Sequence, residues 1–102
     1  MICRQWKAVL KTERQEDYLN HLRQETFPKL RALPGFLSAT VLTHATETGT
    51  AIQVMTFWES IASIKQFAGN DYTKAVLPQS AQAMMNSFDT FALHSEVALQ
   101  TL

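Results

Sequence analysis

Apolar and polar residues alternate along "ICRQWKAVLK" near the start of the chain, with Arg4, Trp6, Ala8 and Leu10 on one side and Cys3, Gln5, Lys7 and Val9 on the other. A period of two predicts a β-strand. Thr12 and Gln15 then stand at the spacing of a capping box, which predicts a helix start. From there the pattern changes to three- and four-residue steps through Tyr18, Leu22, Thr26, Leu30 and Leu33, widened by Leu19 and Phe27, so one side of the helix faces a core. Pro28 lacks an amide hydrogen and crowds the preceding turn, which predicts a kink or restart near Phe27. "LPGF" at 33–36 ends the segment in a tight turn.

"FLSATVLTHA" and "TAIQVMTFWE" are rich in β-branched and apolar residues and are joined by "TETG", which predicts a hairpin. In its second strand Ile52, Val54, Thr56 and Trp58 point one way and Ala51, Met55 and Phe57 the other, so both sides need covering. Ser60 predicts the next helix start, Ile61, Ile64 and Phe67 its buried stripe, and Gly69 its left-handed end. Asn70 or Asp71 is expected to cap a further helix through Tyr72 and Val76, restarting at Pro78 and continuing past Ala81, Met84, Met85 and Phe88. "TFALHSEVAL" predicts the last strand. The order β-α-β-β-α-β, with a broken second helix, predicts an α+β, ferredoxin-like sandwich. Right-handed crossovers place both helices on one face. The other face, bearing either the Met55 and Phe57 set or the Val54 and Trp58 set, would be an apolar patch, and a homodimer through the sheet is expected to cover it.

At 102 residues and 46% hydrophobic content the chain is expected to form one domain, residues 1–102. Lys plus Arg equals Asp plus Glu at 9 each, so no positive field exists to hold phosphates, and nucleic-acid binding is not expected. Cys3 is the single cysteine, which excludes an intrachain disulfide and predicts a reducing compartment, the cytoplasm. The opening residues lack the apolar run of a secretory signal, and no stretch of about 18 apolar residues predicts a membrane span.

The segment "FWESIASIKQFAGNDYTKAVLP", with its W-x-S, F-A-G and D-Y spacing, together with "RQW", Tyr18, "LPGF" and "FDTFALHSEV" in matching order, resembles the antibiotic biosynthesis monooxygenase-like family of the dimeric α+β barrel superfamily. The resemblance implies a homodimer with sheets packed face to face and, in each subunit, a pocket between helices and sheet. Family members include cofactor-independent oxygenases of aromatic molecules, quinol oxidisers and haem-degrading enzymes. The haem-degrading pattern requires an asparagine, a tryptophan and an iron-ligating histidine where this chain carries Trp6, Phe67 and Leu77. Leucine cannot ligate iron, so haem breakdown is not expected.

Nucleotide-binding glycine motifs, paired cysteines and HExxH are missing from the sequence, and His21, His44 and His94 are far apart, so neither a cofactor nor a metal is expected. An oxygenase without a cofactor draws its electrons from the substrate, typically a phenol or hydroquinone, and supplies a dry pocket and proton transfer. For that chemistry His94 is the expected proton acceptor, with Tyr72 as its catalytic companion. Trp58, Trp6 and Phe67 are expected to line the substrate site, Arg4 to stabilise a phenolate and Asn70 to orient a ketone. The same aromatic residues also fit plain packing, and Arg4 also fits a surface pair with Glu96. A non-catalytic small-molecule-binding or regulatory dimer is therefore the competing function.

Overall fold

Residues 1–101 are described by a computed structural model, in which β1 (Ile2–Leu10) is the central strand of an antiparallel sheet. It pairs on one side with β3 (Thr50–Trp58), which in turn pairs with β2 (Phe36–Ala45) as the predicted hairpin. On its other side β1 pairs with β4 (Met85–Phe88) near Leu10 and with β5 (Leu93–Glu96) near Ile2. The last strand position is thus filled by two short strands, one after the other along β1. This is the α+β, ferredoxin-like arrangement that the element order predicts.

The sheet register decides which face is covered. Ile2 pairs with Trp58, Arg4 with Thr56, Trp6 with Val54, Ala8 with Ile52 and Leu10 with Thr50, so these residues share one face. Tyr18 and Leu22 pack onto Trp6, Ala8, Leu10 and Ile52, while Leu30 and Ile64 pack onto Trp58, so the helices cover that face. Each fully buried aliphatic side chain, such as Leu10 or Ile64, contributes about 1.5–3 kcal/mol. The rear face keeps Met55 and Phe57 half-exposed and Leu42 and Leu93 exposed.

The first helical segment starts differently from the prediction. A 3-10 turn at Thr12–Arg14 precedes α1 (Gln15–His21), and neither start carries a side-chain cap. Gln15 instead accepts a hydrogen bond at Oε1 from the buried Thr50 hydroxyl, at 3.1 Å, which removes it from the capping box. The kink expected at Pro28 is real. A π-helical turn, Leu22–Thr26, inserts ahead of α2 (Phe27–Arg31); the Phe27 amide reaches back five residues to the Leu22 carbonyl, and Pro28 sits in the first turn of α2, where its missing donor costs little.

Ser60 caps α3 (Ile61–Ala68) by accepting from the Ser63 amide, and Gly69 ends it at φ 81°, although with an extended rather than a helical ψ. The helix expected from Asn70 or Asp71 does not form. Residues 70–78 are irregular, α4 is only Gln79–Gln82, and Met85 and Phe88 lie in β4 rather than on a helix stripe. Three causes act together. Leu77, preceding Pro78, is biased toward an extended backbone; the carbonyls of Tyr72 and Lys74 accept hydrogen bonds from Arg4; and Thr73–Ala75 pair with Thr90–Ala92, with the Ala75 amide donating to the Thr90 carbonyl and the Ala92 amide to the Thr73 carbonyl. Among the described residues no helix is long and apolar enough to cross a membrane.

Candidate functional site

Between the covered face of the sheet and the helices lies a narrow pocket of about 60 Å³. Its apolar walls come from Trp6 and Val54 on the strands, Leu22, Phe27 and Leu30 on the first helical segment, and Phe67 on α3. Residues 75–78 close the remaining side. The polar groups that reach it are Arg4, Tyr18, His21, Thr26 and Thr56. A wider, open hollow of about 380 Å³ lies on the rear face beside Lys7, Leu42, His44 and Gln53, whose side chains are exposed or half-exposed. Buried charge is found at the inner pocket, not in that hollow.

Arg4 is that charge. Its side chain points under the helices because its strand parity matches Trp6 and Ala8, and it is buried. Nη1 donates to the Tyr72 carbonyl and, at 3.0 Å, to His94 Nε2, and Nη2 donates to the Lys74 carbonyl at 2.9 Å. A guanidinium carries about five N–H donors, so Nε–H and the second Nη2–H keep no acceptor among the described residues. No carboxylate among the described residues pairs with Arg4; Glu96, the partner weighed from sequence, lies against the N-terminal amine of Met1 at 3.7 Å. Burial draws the Arg4 pKa down to about 10, which leaves it charged at neutral pH. The cation stands 5.9 Å from the centre of the Phe67 ring.

His94 lies beside Arg4 across the β1–β5 pair. Because the guanidinium only donates, His94 Nε2 must be the accepting nitrogen, which puts the ring proton on Nδ1. Desolvation, and then the positive charge of Arg4, push the His94 pKa down, so the ring is held neutral. Tyr72 meets His94 edge-on at 5.1 Å, and Lys65 Nζ covers the Tyr72 ring at 5.6 Å.

The expected site residues therefore separate into two groups. Arg4, Trp6 and Phe67 line the pocket together. Trp58 does not line it. It is fully buried with Leu30 and Ile64, donates from Nε1 to the Thr56 hydroxyl at 2.9 Å, and stacks under Phe67 at 6.3 Å. Tyr72 and His94 sit behind Arg4 and reach the pocket only through it, and Asn70 is exposed at the start of the irregular segment. Trp6 has its indole N–H on the Asp89 carbonyl at 2.7 Å. Trp6, Phe67 and Leu77, the positions compared with the haem-degrading pattern, do meet in this one pocket. Among the described residues, no cluster of three His, Cys, Asp or Glu could hold a metal ion.

Sequence reading misses Tyr18 and His21 as pocket residues. Tyr18 is only 3% exposed, and among the described residues its hydroxyl has no hydrogen-bond partner, yet it is not shut off from open space, because it reaches the pocket. His21 holds Glu25 through Nδ1 at 2.9 Å and stacks on Tyr18 at 5.9 Å. The available signal was the His21–Glu25 spacing just ahead of Pro28.

The sequence matches the antibiotic biosynthesis monooxygenase family over residues 1–79. No curated protein matches it. Among solved structures it is similar to an assigned antibiotic biosynthesis monooxygenase of Bacteroides thetaiotaomicron, at 16% identity and a TM-score of 0.68, with 99% of this chain and 92% of the other covered. A Bacillus cereus protein assigned to the same group matches at 16% identity and a TM-score of 0.68, with 99% and 94% covered. A Streptomyces coelicolor monooxygenase, solved in complex with nanaomycin D, matches at 22% identity and a TM-score of 0.64, with 99% and 90% covered. At these identities the structural likeness carries the fold, and the family match over the first three of the four sheet positions carries the rest: the chain belongs to the antibiotic biosynthesis monooxygenase family.

Proposed function

We propose that the inner pocket takes a small phenol or hydroquinone and that the protein oxygenates it without a cofactor. The observation that carries this reading is the buried, carboxylate-free Arg4 cation beside an aromatic-lined pocket. A buried cation with unused donors is stabilised by an anion, and the anion of an aromatic alcohol brings a flat apolar body that suits Trp6 and Phe67. Ionising the hydroxyl raises the electron density of the ring, so the substrate itself can reduce dioxygen. For a hydroquinone the balance is closed: hydroquinone plus dioxygen gives hydroxyquinone plus water, with one oxygen atom entering the ring and both hydrogens of the water coming from the substrate.

In this reading Arg4 holds the phenolate, Trp6 and Phe67 flank the ring, and Trp58 supports Phe67 from below. Tyr72 and His94 fix the direction of Arg4, and Asn70 can reach a ketone only if the 70–78 segment folds inward. The pocket is narrower than a drug-sized site of about 300 Å³, so an aromatic ring enters as residues 75–78 give way. That segment lies outside any helix and outside the named strands. The complex of the Streptomyces coelicolor relative with nanaomycin D supports a small organic ligand here too. The apolar side chains on the rear face support a homodimer through the sheet, and the lone, buried Cys3 suits a reducing cytoplasm.

Oxygen consumption over a panel of hydroquinones and phenols tests the proposal, with saturable uptake as the expected result. Saturable binding without uptake would assign the protein to the competing class, a small-molecule-binding or regulatory dimer. Neither binding nor uptake across the panel would remove both.

A further inference from the structure

The pocket has a second polar end, built on the first helical segment rather than on β1. Tyr18 and His21 stack there at 5.9 Å, and Tyr18 packs against Trp6 at 6.4 Å, whereas Arg4 packs against Phe67. Resting on the reading of the pocket as a hydroquinone site, we propose that the substrate is a para-dihydroxyarene lying between these ends, with one oxygen at Arg4 and the other hydroxyl giving its proton to His21 Nε2.

The surroundings of His21 and Tyr18 support this assignment. Glu25 Oε2 lies 2.9 Å from His21 Nδ1, so Nδ1–H donates to the carboxylate and Nε2 is left as an acceptor with no protein donor among the described residues. The Tyr18 hydroxyl has no hydrogen-bond partner among the described residues, at a residue only 3% exposed, and because it opens onto the pocket a ligand or water there satisfies it. Burial pushes the Tyr18 pKa further up, so it remains a hydroxyl and can donate to the substrate oxygen. His21 also faces two spaces: it lines the inner pocket and, on its other side, an open groove beside Asp17, Glu25 and Ser80. Its side chain is 12% exposed, against 64% for Glu25. The π-helical turn Leu22–Thr26 begins at the next residue, a distortion that recurs at functional sites.

The step balances as a proton transfer. The substrate O–H bond breaks, its electron pair stays on oxygen, and an N–H bond forms at Nε2. The imidazolium is then paired with Glu25, and its proton leaves on the groove side to water. Both hydroxyl protons of a hydroquinone must go before a quinone forms, and Arg4 can assist only the one beside it.

para-Cyanophenol, largely un-ionised in neutral buffer, reports where the proton lies through its phenolate absorbance, and it is read on the Arg4→Met background, where only the Tyr18 and His21 end can take its proton. Arg4→Met is expected to bind it as the phenolate. Adding His21→Gln should leave it bound in the neutral form, and in the otherwise intact protein His21→Gln should lower hydroquinone-dependent oxygen uptake about 100-fold, the scale of a lost general base. On the same background Glu25→Gln, at an exposed position that does not hold the fold, should show a partial loss of the phenolate band. A phenolate band of unchanged strength in both variants would overturn the assignment while leaving the Arg4 reading in place. Failure of the unmutated protein to bind either para-cyanophenol or hydroquinone would overturn both.

Discussion

Replacing Arg4 with methionine separates the two tasks of that side chain, because methionine keeps an unbranched apolar stem while removing the charge and every donor. In the ligand-free protein two terms oppose each other. The carbonyls of Tyr72 and Lys74 and the His94 nitrogen lose their donor, at about 1–3 kcal/mol for each group that stays dry. Against that, a cation without a carboxylate no longer has to be kept out of water, a penalty of several kcal/mol. Lys74 is exposed and Tyr72 half-exposed, so water can reach their carbonyls, and the stability change should stay within about 2 kcal/mol.

Ligand binding behaves differently. A phenolate held by Arg4 makes a charge-assisted hydrogen bond, about 1.5–3 kcal/mol. Arg4→Met should therefore weaken hydroquinone binding by roughly 10- to 100-fold. Anaerobic calorimetric titration measures this directly, with anisole, which cannot ionise, as the control. Arg4→Lys should fall between the two, since an ammonium keeps the charge but lacks the planar fork that reaches two carbonyls and the imidazole together. Equal hydroquinone affinity in Arg4→Met and the parent would refute the reasoning. So would an equal loss for anisole, which would mean that the pocket had collapsed.

Gly35 and Gly69 both have positive φ, at 87° and 81°, but a Cβ on Gly35 would lie 2.0 Å from Ser63 Oγ, whereas a Cβ on Gly69 would meet nothing within 4 Å. Gly35→Ala should thus cost about 2–4 kcal/mol and Gly69→Ala about 1 kcal/mol, and thermal melts giving equal losses would contradict the clash. Ser60→Ala removes the acceptor for the Ser63 amide and should lower stability by about 1 kcal/mol, read by denaturant titration. The folded-state pKa of His94 lies below its ordinary value, so the unfolded chain binds the extra proton first; stability should be full above about pH 6.5 and decline as pH falls through that value. His94→Gln, which can still accept from Arg4, should remove that part of the pH dependence from melts at neutral and mildly acidic pH, and an unchanged slope would assign it to other groups.

The sheet was legible in the sequence because its signal is local. A period of two places Trp6, Ala8 and Leu10 on the covered face, and Ile52, Thr56 and Trp58 agree with them in register. Ser60 and Gly69 mark the ends of α3 through bonds made within a few residues. The Thr12–Gln15 spacing misleads because Gln15 has a better-buried partner, Thr50, 35 positions away. In the site, Arg4, Trp6 and Phe67 are legible from strand parity and helix stripe. Periodicity reads Tyr18 as core, which its burial justifies, but periodicity carries no information about whether a hydroxyl finds a partner. His21 lies off the apolar stripe and therefore looks like a surface residue.

The misread second helix and the functional pocket share Arg4 as a physical cause. Residues 70–77 contain nothing that forbids a helix until Pro78, so local propensity alone would extend one from Asp71. Arg4 opposes it by engaging the carbonyls of Tyr72 and Lys74 from 68 and 70 positions away, together with the pairing of Thr73–Ala75 to Thr90–Ala92. A helix there would turn the Tyr72 carbonyl toward the Val76 amide and away from Arg4, leaving the buried guanidinium with fewer acceptors, which the desolvation penalty opposes. The irregular strand of chain that results is what forms the movable wall at residues 75–78. A charge placed under the sheet's helical face thus contributes both to the break in the second helix and to keeping the pocket it would have filled open to a ligand. Neutralising Arg4 should therefore raise helical content over residues 71–77 as ligand affinity falls, and hydrogen exchange resolved to those amides would show the two changes together or refute the link.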